Sequence, residues 1–404
     1  MIPKTTTRTT CRLCGGGLKS VLDLGDHYVS DFVKKDFKGG IKAPLELVLC
    51  ENSECGLLQL RHTAPQEIMY SRHYWYRSGL NQTIIDDLRD IAEKAREMVS
   101  LKKGDVVLDI GANDGTLLSF FPKDYVRVGC EPADNLQEEL KKHANYALHD
   151  FWSEAAYKKL GLPKAKIIAA IGMFYDMEDP NQFVRDACNV LADDGVFIAQ
   201  LMTLKPMIEK NDLGNICHEH LEFYSYPSLV CLFEKNGLEI FKVEENSING
   251  GSYRLYARKL KEGSIKHPEP EFDYTAFAQR IENNKKKTVD FIKQAVAERK
   301  KVYGYGASTK GNTILQYFDL GPDLVTAIAD KSEEKWGKYT VGTMIPIVSE
   351  EEARKANPDY FLILPWAFTD AFVKREVQWL RGGGKFIVPF PEFTIIDAEA
   401  GYGK

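Results

Sequence analysis

Three groups of residues in this 404-residue chain have the types and spacing for chemistry. The densest is Asn215-Ile-Cys-His-Glu-His-Leu-Glu-Phe-Tyr-Ser225, with two histidines and two acids within five positions. A neutral imidazole accepts a proton near pH 7, so His220 is predicted to be a general base steered by Glu219. The same cluster also reads as a second metal site or as a satisfied structural network. The metal reading lacks the helical pairing of H-E-x-x-H. The second group is Cys11 and Cys14 with Cys50 and Cys55, two pairs about 35 residues apart. Two such pairs on tight turns bring four thiolates to one tetrahedral zinc, which leaves no open position and is therefore structural. The C-x4-C spacing of the second pair is wider than usual, and two unrelated pairs of free cysteines is the alternative. The third group is Gly304-Tyr-Gly-Ala-Ser-Thr-Lys310, a Gly-rich strand-to-helix turn. Backbone amides, a helix N-terminus and Lys310 would suit a diphosphate, with Tyr305 beside it. Taken alone, this turn also resembles a small NAD module.

These groups need a frame, and Val106-Val-Leu-Asp-Ile-Gly-Ala-Asn-Asp-Gly-Thr-Leu-Leu118 supplies it. Val106 to Leu108 read as a buried strand, and Gly111 and Gly115 turn the chain into a helix near Thr116. Asp109 is expected at the strand's carboxyl end, where open α/β sheets bind ligands. About 20 residues on, Val126-Arg-Val-Gly-Cys130 ends in Glu131, an acid suited to ribose hydroxyls. NAD wants G-x-G-x-x-G. Here the loop is D-x-G-x-N-D-G, whose carboxylates repel a pyrophosphate and welcome a sulfonium and an ammonium. The loop resembles motif I of the class I methyltransferases, which implies S-adenosylmethionine. Asp109, Gly111, Asn113, Gly115, Glu131, Asp150, Phe151 and Gly172 are then expected around the cofactor. Tyr76 and Ser78, from the aromatic stretch Tyr70 to Gly79, would face its methionine end. Packing of the first domain on the second is an equal use for that stretch.

Elsewhere the pattern alternates strand and helix, as in a doubly wound α/β fold. Residues 81–99 read as a helix, Lys166 to Ile171 as a buried strand, and Gly172 to Pro180 as its tip. Asn181 to Leu191 read as a helix, Ala192 to Gly195 as a turn, and Val196 to Leu201 as a strand. Asn249-Gly-Gly-Ser252 reads as a hairpin turn or as a close backbone approach to substrate beside Arg254. The basic stretch 271–301 reads as a solvated connecting helix. Strands are expected at Val302, Val325 to Asp330, Tyr360 and Lys385. Three domains follow: a zinc module over 1–75, a methyltransferase domain over 76–265, and a second Rossmann-like domain over 266–404.

With 44% hydrophobic residues the chain can bury sizeable cores, and its net charge of -5 carries no strongly basic block. Nucleic acid is not an expected partner. No run of about 18 apolar residues occurs, so no membrane span is expected. Residues 1–8 lack a signal-peptide h-region, and a cytoplasmic location is expected. Eight cysteines then suggest metal or free thiols. Oligomeric state is open, with a monomer one possibility.

Taken together, the paired cysteines, D-I-G-A-N-D-G, H-E-H, N-G-G-S and G-Y-G-A-S-T-K resemble the C-methyltransferases that act on nucleotide-linked keto-deoxysugars. One example is the TDP-sugar C-3' enzyme of tetronitrose biosynthesis. The likeness runs over nearly the whole chain. It implies that the middle domain binds S-adenosylmethionine and that the last domain helps hold a nucleotide-sugar. It also implies that Glu219 and His220 include the base, with Tyr224 able to donate to an enolate oxygen. Asp176, His218, Asn249, Tyr305 and Lys310 fall on the substrate side. Cys217 and Asp176 stand where the tetronitrose member has Tyr and His. An O- or N-methyltransferase on another polar acceptor is the second reading. A zinc-bearing scaffold with degenerate cofactor folds is the third.

Overall fold

The strand Val106–Ile110 is wholly buried and is the axis of a seven-stranded sheet. This computed structural model describes residues 5–70 and 74–399. From one edge the strands run Leu238–Asn246, Ser252–Lys259, Leu191–Met202, Ala165–Ile171, Val106–Ile110, Val126–Cys130 and Tyr146–Leu148. The last five are parallel, and Ser252–Lys259 is antiparallel to both of its neighbours. β-Branched and apolar residues buried on both faces suit such a sheet. Its helices are capped by local chemistry. Asn81 accepts from the amide of Thr83 to start Gln82–Met98, and Asp179 with Pro180 starts Pro180–Val190. The expected turn at Ala192 to Gly195 lies within the strand Leu191–Met202 instead. Those residues form a bulge, with Ala165 paired to Leu191 and Ile167 to Val196. Gly195 permits it, because a Cβ there would come within 3.0 Å of the Lys166 carbonyl.

A second α/β unit follows the 24-residue helix Tyr274–Ala297. Its parallel strands run Ile347–Ser349, Ile328–Asp330, Val302–Tyr305, Tyr360–Ile363 and Lys385–Val388, with Thr394–Ile396 antiparallel at the edge. It is Rossmann-like in order. The N-terminal module is a smaller antiparallel sheet of Leu18–Tyr28, Lys42–Cys50 and Leu58–Leu60. The three parts interlock: Glu222–Phe223 of the middle part pairs with Leu58–Leu60, and Tyr339–Thr340 of the last part pairs with Phe32–Val33. Among the described residues, no helix is long and apolar enough to cross a membrane.

Candidate active site

A cavity of about 540 Å³ lies over the carboxyl ends of the central parallel strands, where the ligand crevice of such a sheet belongs. One half is built by the turn after Val106–Ile110. Gly111 has φ 72°, and a Cβ there would sit 2.7 Å from Met173 Cγ, so its bareness admits the Met173 side chain. Asn113 donates its amide to Glu131 Oε2 (2.9 Å) and accepts from the Ser78 amide on Oδ1 (2.9 Å). Its Nδ2 reaches the Tyr76 carbonyl at 3.1 Å. Glu131 Oε1 accepts from the Ala133 amide at 2.9 Å. Burial pushes the Glu131 carboxyl up, and those two amides hold it down. Tyr76, Ser78, Gly111, Asn113, Glu131, Phe151 and Gly172 all line the cavity.

The other half is the irregular loop before Glu222–Phe223. His220 Nδ1 lies 2.8 Å from the Asn215 carbonyl. A carbonyl only accepts, so Nδ1 carries the hydrogen and Nε2 the lone pair. The ring packs edge-on against Tyr175, with centroids 4.7 Å apart. Burial, then the Lys310 charge, lowers His220 to about 3, so it is neutral at working pH. Glu219 is raised to about 7 by burial, against the Thr309 hydroxyl, Lys310 and Cys217. Burial and the Glu219 charge push Asp176 well up, and its Oδ1 is buried without a hydrogen-bond partner. Side-chain ligand atoms of Cys217, Glu219 and His220 lie within 4.8 Å of one another. The positive charge that faces this set is Lys310, which reaches in from the last domain.

The four cysteines of the N-terminal module converge. Cys11 and Cys55 Sγ are 3.8 Å apart, Cys14 and Cys50 Sγ 3.4 Å, and all four lie within 4.8 Å. Tetrahedral zinc with bonds of about 2.3 Å needs sulfur separations of roughly 3.8 Å. Left-handed Gly15 and Gly56 close the two knuckles, and the Asn52 carbonyl takes up the Cys55 and Gly56 amides in the wider one. The donors fit a structural zinc.

The chain matches three family models: a zinc binding domain over residues 11–70, a methyltransferase domain over 76–243 and a C-methyltransferase C-terminal domain over 247–391. It is 29% identical over 411 residues to the C-methyltransferase NovU of Streptomyces niveus, covering 96% of this chain and 97% of that one. The three models together span most of the chain, which is an S-adenosylmethionine-dependent methyltransferase, and these matches support the C-methyltransferase family. Two solved structures that match part of the chain are the mitomycin 7-O-methyltransferase MmcR and an S-adenosylmethionine-dependent methyltransferase from Clostridium acetobutylicum. The first is 12% identical, covers 45% of this chain and 55% of that one, and has a TM-score of 0.34. For the second the values are 13%, 43%, 92% and 0.34.

In this methyltransferase several predicted site residues lie elsewhere. Asp109 is buried inside its strand, paired to Ala169 and Gly129, and is not on the cavity wall. Gly115 is needed for packing, since a Cβ would meet His143 and Leu140 at 3.1 and 3.2 Å. Asp150 caps the Phe151 amide and accepts the Cys130 thiol on its carbonyl, off the cavity. Tyr224 is fully buried between Phe174 and the zinc knuckles, too deep to meet a substrate. His218 Nε2 donates to the Ala43 carbonyl in the N-terminal sheet at 2.9 Å. Tyr305 is core, with its hydroxyl on Glu376 at 2.5 Å. Arg254, read beside a substrate, pairs with Asp87 (2.7 Å) and Asp90 (2.5 Å). Asp176, Asn249, Glu219, His220 and Lys310 do line the cavity. Of the aromatic stretch, Tyr70, Tyr74 and Tyr76 line it, and 71–73 lie outside the described residues. Asn215, Thr309, Tyr175, Asp87 and Gln200 were missed. Asn215 opens the densest polar cluster but its residue type alone points to no role there, and Asp87 looks like any helix acid.

Proposed function

We propose that this enzyme methylates a carbon beside the keto group of a nucleotide-linked 4-keto-6-deoxy sugar, with C-3 the first choice. His220 removes the proton. The observation that carries the reading is the Asn215 carbonyl on His220 Nδ1, which leaves the lone pair on Nε2 of a residue that lines the same cavity as Glu131 and Gly111. A carbonyl makes the neighbouring C–H acidic. As His220 Nε2 takes the proton, the C–H pair forms a C=C bond and the C=O pair moves onto oxygen. Glu219 supports the imidazolium that results. When bound, S-adenosylmethionine would supply an electrophilic methyl for the enolate carbon, with its sulfur as the leaving group. For that cofactor Glu131 would hold the ribose and Phe151 the adenine. Gly111, Asn113, Gly172, Tyr76 and Ser78 would flank the rest. Residues 266–404 would help hold the nucleotide-sugar, with Asn249 and Asp176 on the sugar side, in a division of 1–75, 76–265 and 266–404.

His220→Asn should lower kcat by ~10²–10⁴-fold with cofactor binding intact. The direct measurement is exchange of the sugar C–H with D₂O, read by NMR with S-adenosylhomocysteine present. Full exchange in His220→Asn would assign the base elsewhere. A product methylated on oxygen or nitrogen would replace this reading with the heteroatom one.

A further inference from the structure

The enolate formed by His220 needs a partner for its negative oxygen, and Tyr224 is too deeply buried to provide one. Lys310 stands in the right place. It belongs to the first turn of the helix Thr309–Tyr317, which the last domain docks against the catalytic loop. Gly214 lets it approach: a Cβ on that residue would lie 3.3 Å from Lys310 Cβ. The Lys310 ammonium sits 3.3 Å from Asn215 Oδ1 and 3.1 Å from Met202 Sδ. Among the described residues, no carboxylate comes within 4.0 Å of it. An ammonium has three donors, one here on an amide oxygen and one against a weak thioether acceptor, which leaves one for a ligand in the cavity it lines.

The same Asn215 whose main-chain carbonyl holds the base holds this cation by its side chain. The expected diphosphate turn after Gly306, by contrast, has its first amide already taken. The Ala307 amide is taken by Asp330 Oδ2 at 2.7 Å, and a Cβ at Gly306 would lie 2.7 Å from Pro365. A carboxylate there opposes a phosphate.

We propose that Lys310 is the electrophile of the reaction, donating a hydrogen bond to the substrate's carbonyl oxygen and taking up its charge in the enolate. Asn215 is the positioning residue that fixes the spacing of base and cation. This rests on the keto-sugar reading above. The bookkeeping of atoms is simple: the carbon-bound proton goes to His220 Nε2, its electron pair ends on oxygen, and Lys310 keeps its own protons throughout. The last domain then completes the active site of the middle one.

The test uses the full zinc-loaded chain with a 4-keto-6-deoxy nucleotide-sugar and S-adenosylhomocysteine in D₂O. Lys310→Met should slow C–H exchange by ~10²–10³-fold, as loss of an oxyanion donor does, with nucleotide-sugar affinity little changed. Lys310→Arg, which keeps the charge, should recover part of the exchange. Asn215→Ala keeps its main-chain carbonyl and should lower kcat while leaving KM in place. If Lys310→Met exchanges at the wild-type rate and loses only affinity, Lys310 is a phosphate counter-ion and the inference fails. If the wild type exchanges no proton at all, the keto-sugar reading itself falls, and this with it.

Discussion

Glu219→Gln isolates what a neighbouring carboxylate does for the base. His220 alone is a poor one, lowered to about 3 by burial and Lys310. The Glu219 ligand atom is within 4.8 Å of the His220 ring nitrogen. At an effective dielectric of 20, unit charges at that separation interact by about 3.5 kcal/mol. That strengthens the base by about two and a half pKa units. Losing it should cost roughly 300-fold if proton transfer is complete in the transition state, and about 20-fold if it is half complete. The groups facing Glu219 are Asp176, Cys217, Thr309 and Lys310, with the Tyr70 hydroxyl on its carbonyl. Since Glu219 is raised to about 7, kcat/KM should fall as pH drops through about 7 in the wild type. His220 adds no limb there, because it titrates below Glu219. Stability runs the other way. A carboxyl whose folded value lies above its unfolded one favours folding fully below the unfolded value, and this is lost as pH rises through about 7. Glu219→Gln should therefore gain stability relative to wild type at pH 8, and its kcat/KM should lack the limb. A pH–rate profile of both proteins decides it: an unchanged limb near 7 in Glu219→Gln, or unchanged activity, refutes the coupling.

Glu131→Ala should weaken S-adenosylmethionine binding by ~1.5–3 kcal/mol, the worth of a hydrogen bond to a charged group. Isothermal calorimetry measures this, and unchanged affinity would mean the ribose lies elsewhere. Cys11→Ser should lose the zinc by metal analysis and lower the melting temperature. It should also lower kcat, because the next residue, Arg12, joins the knuckle to Glu178 and Glu222. Full zinc content and full activity in that variant would overturn both parts.

Much of the frame was legible because its signals are local. D-I-G-A-N-D-G is a strand, a turn and a helix start in one stretch, and the cysteine knuckles need only short loops. What failed depended on distant neighbours. Tyr305 looked like a ligand residue because it sits in a Gly-rich turn, but the strand Val302–Tyr305 is central in its sheet and buries the ring among Phe361, Phe372 and Phe386. Lys310 is a different case: its Gly-rich turn suggests a diphosphate, and nothing in the sequence pattern shows its neighbour in the middle domain. Only docking of the two α/β units turns it toward Asn215. Tyr224 follows Glu222–Phe223, and the pairing of that short strand with Leu58–Leu60 carries it away from the cavity.

The catalytic loop is where these distant effects meet. It is irregular from Asn215 to Leu221; its own bonds, from His220 to the Asn215 and Cys217 carbonyls, orient the base within the loop, and the loop itself has to be held by its surroundings. Here every side of it is tied to another part of the chain. Tyr70 donates to the Glu219 carbonyl at 2.8 Å, and His218 reaches Ala43 in the N-terminal sheet. Lys310 meets it from the last domain. Arg12, with its side chain fully buried, lies 3.6 Å from Glu222 and 3.4 Å from Glu178. Glu222 is two residues after His220, and Glu178 is two residues after Asp176. A buried ion pair seldom adds stability over an apolar pair of the same shape. An arginine between two zinc ligands in sequence, Cys11 and Cys14, that grips both flanks of the substrate half is better explained by geometry than by stability. Through Arg12 the cysteine knuckle is therefore tied to both of the segments that carry Asp176 and His220.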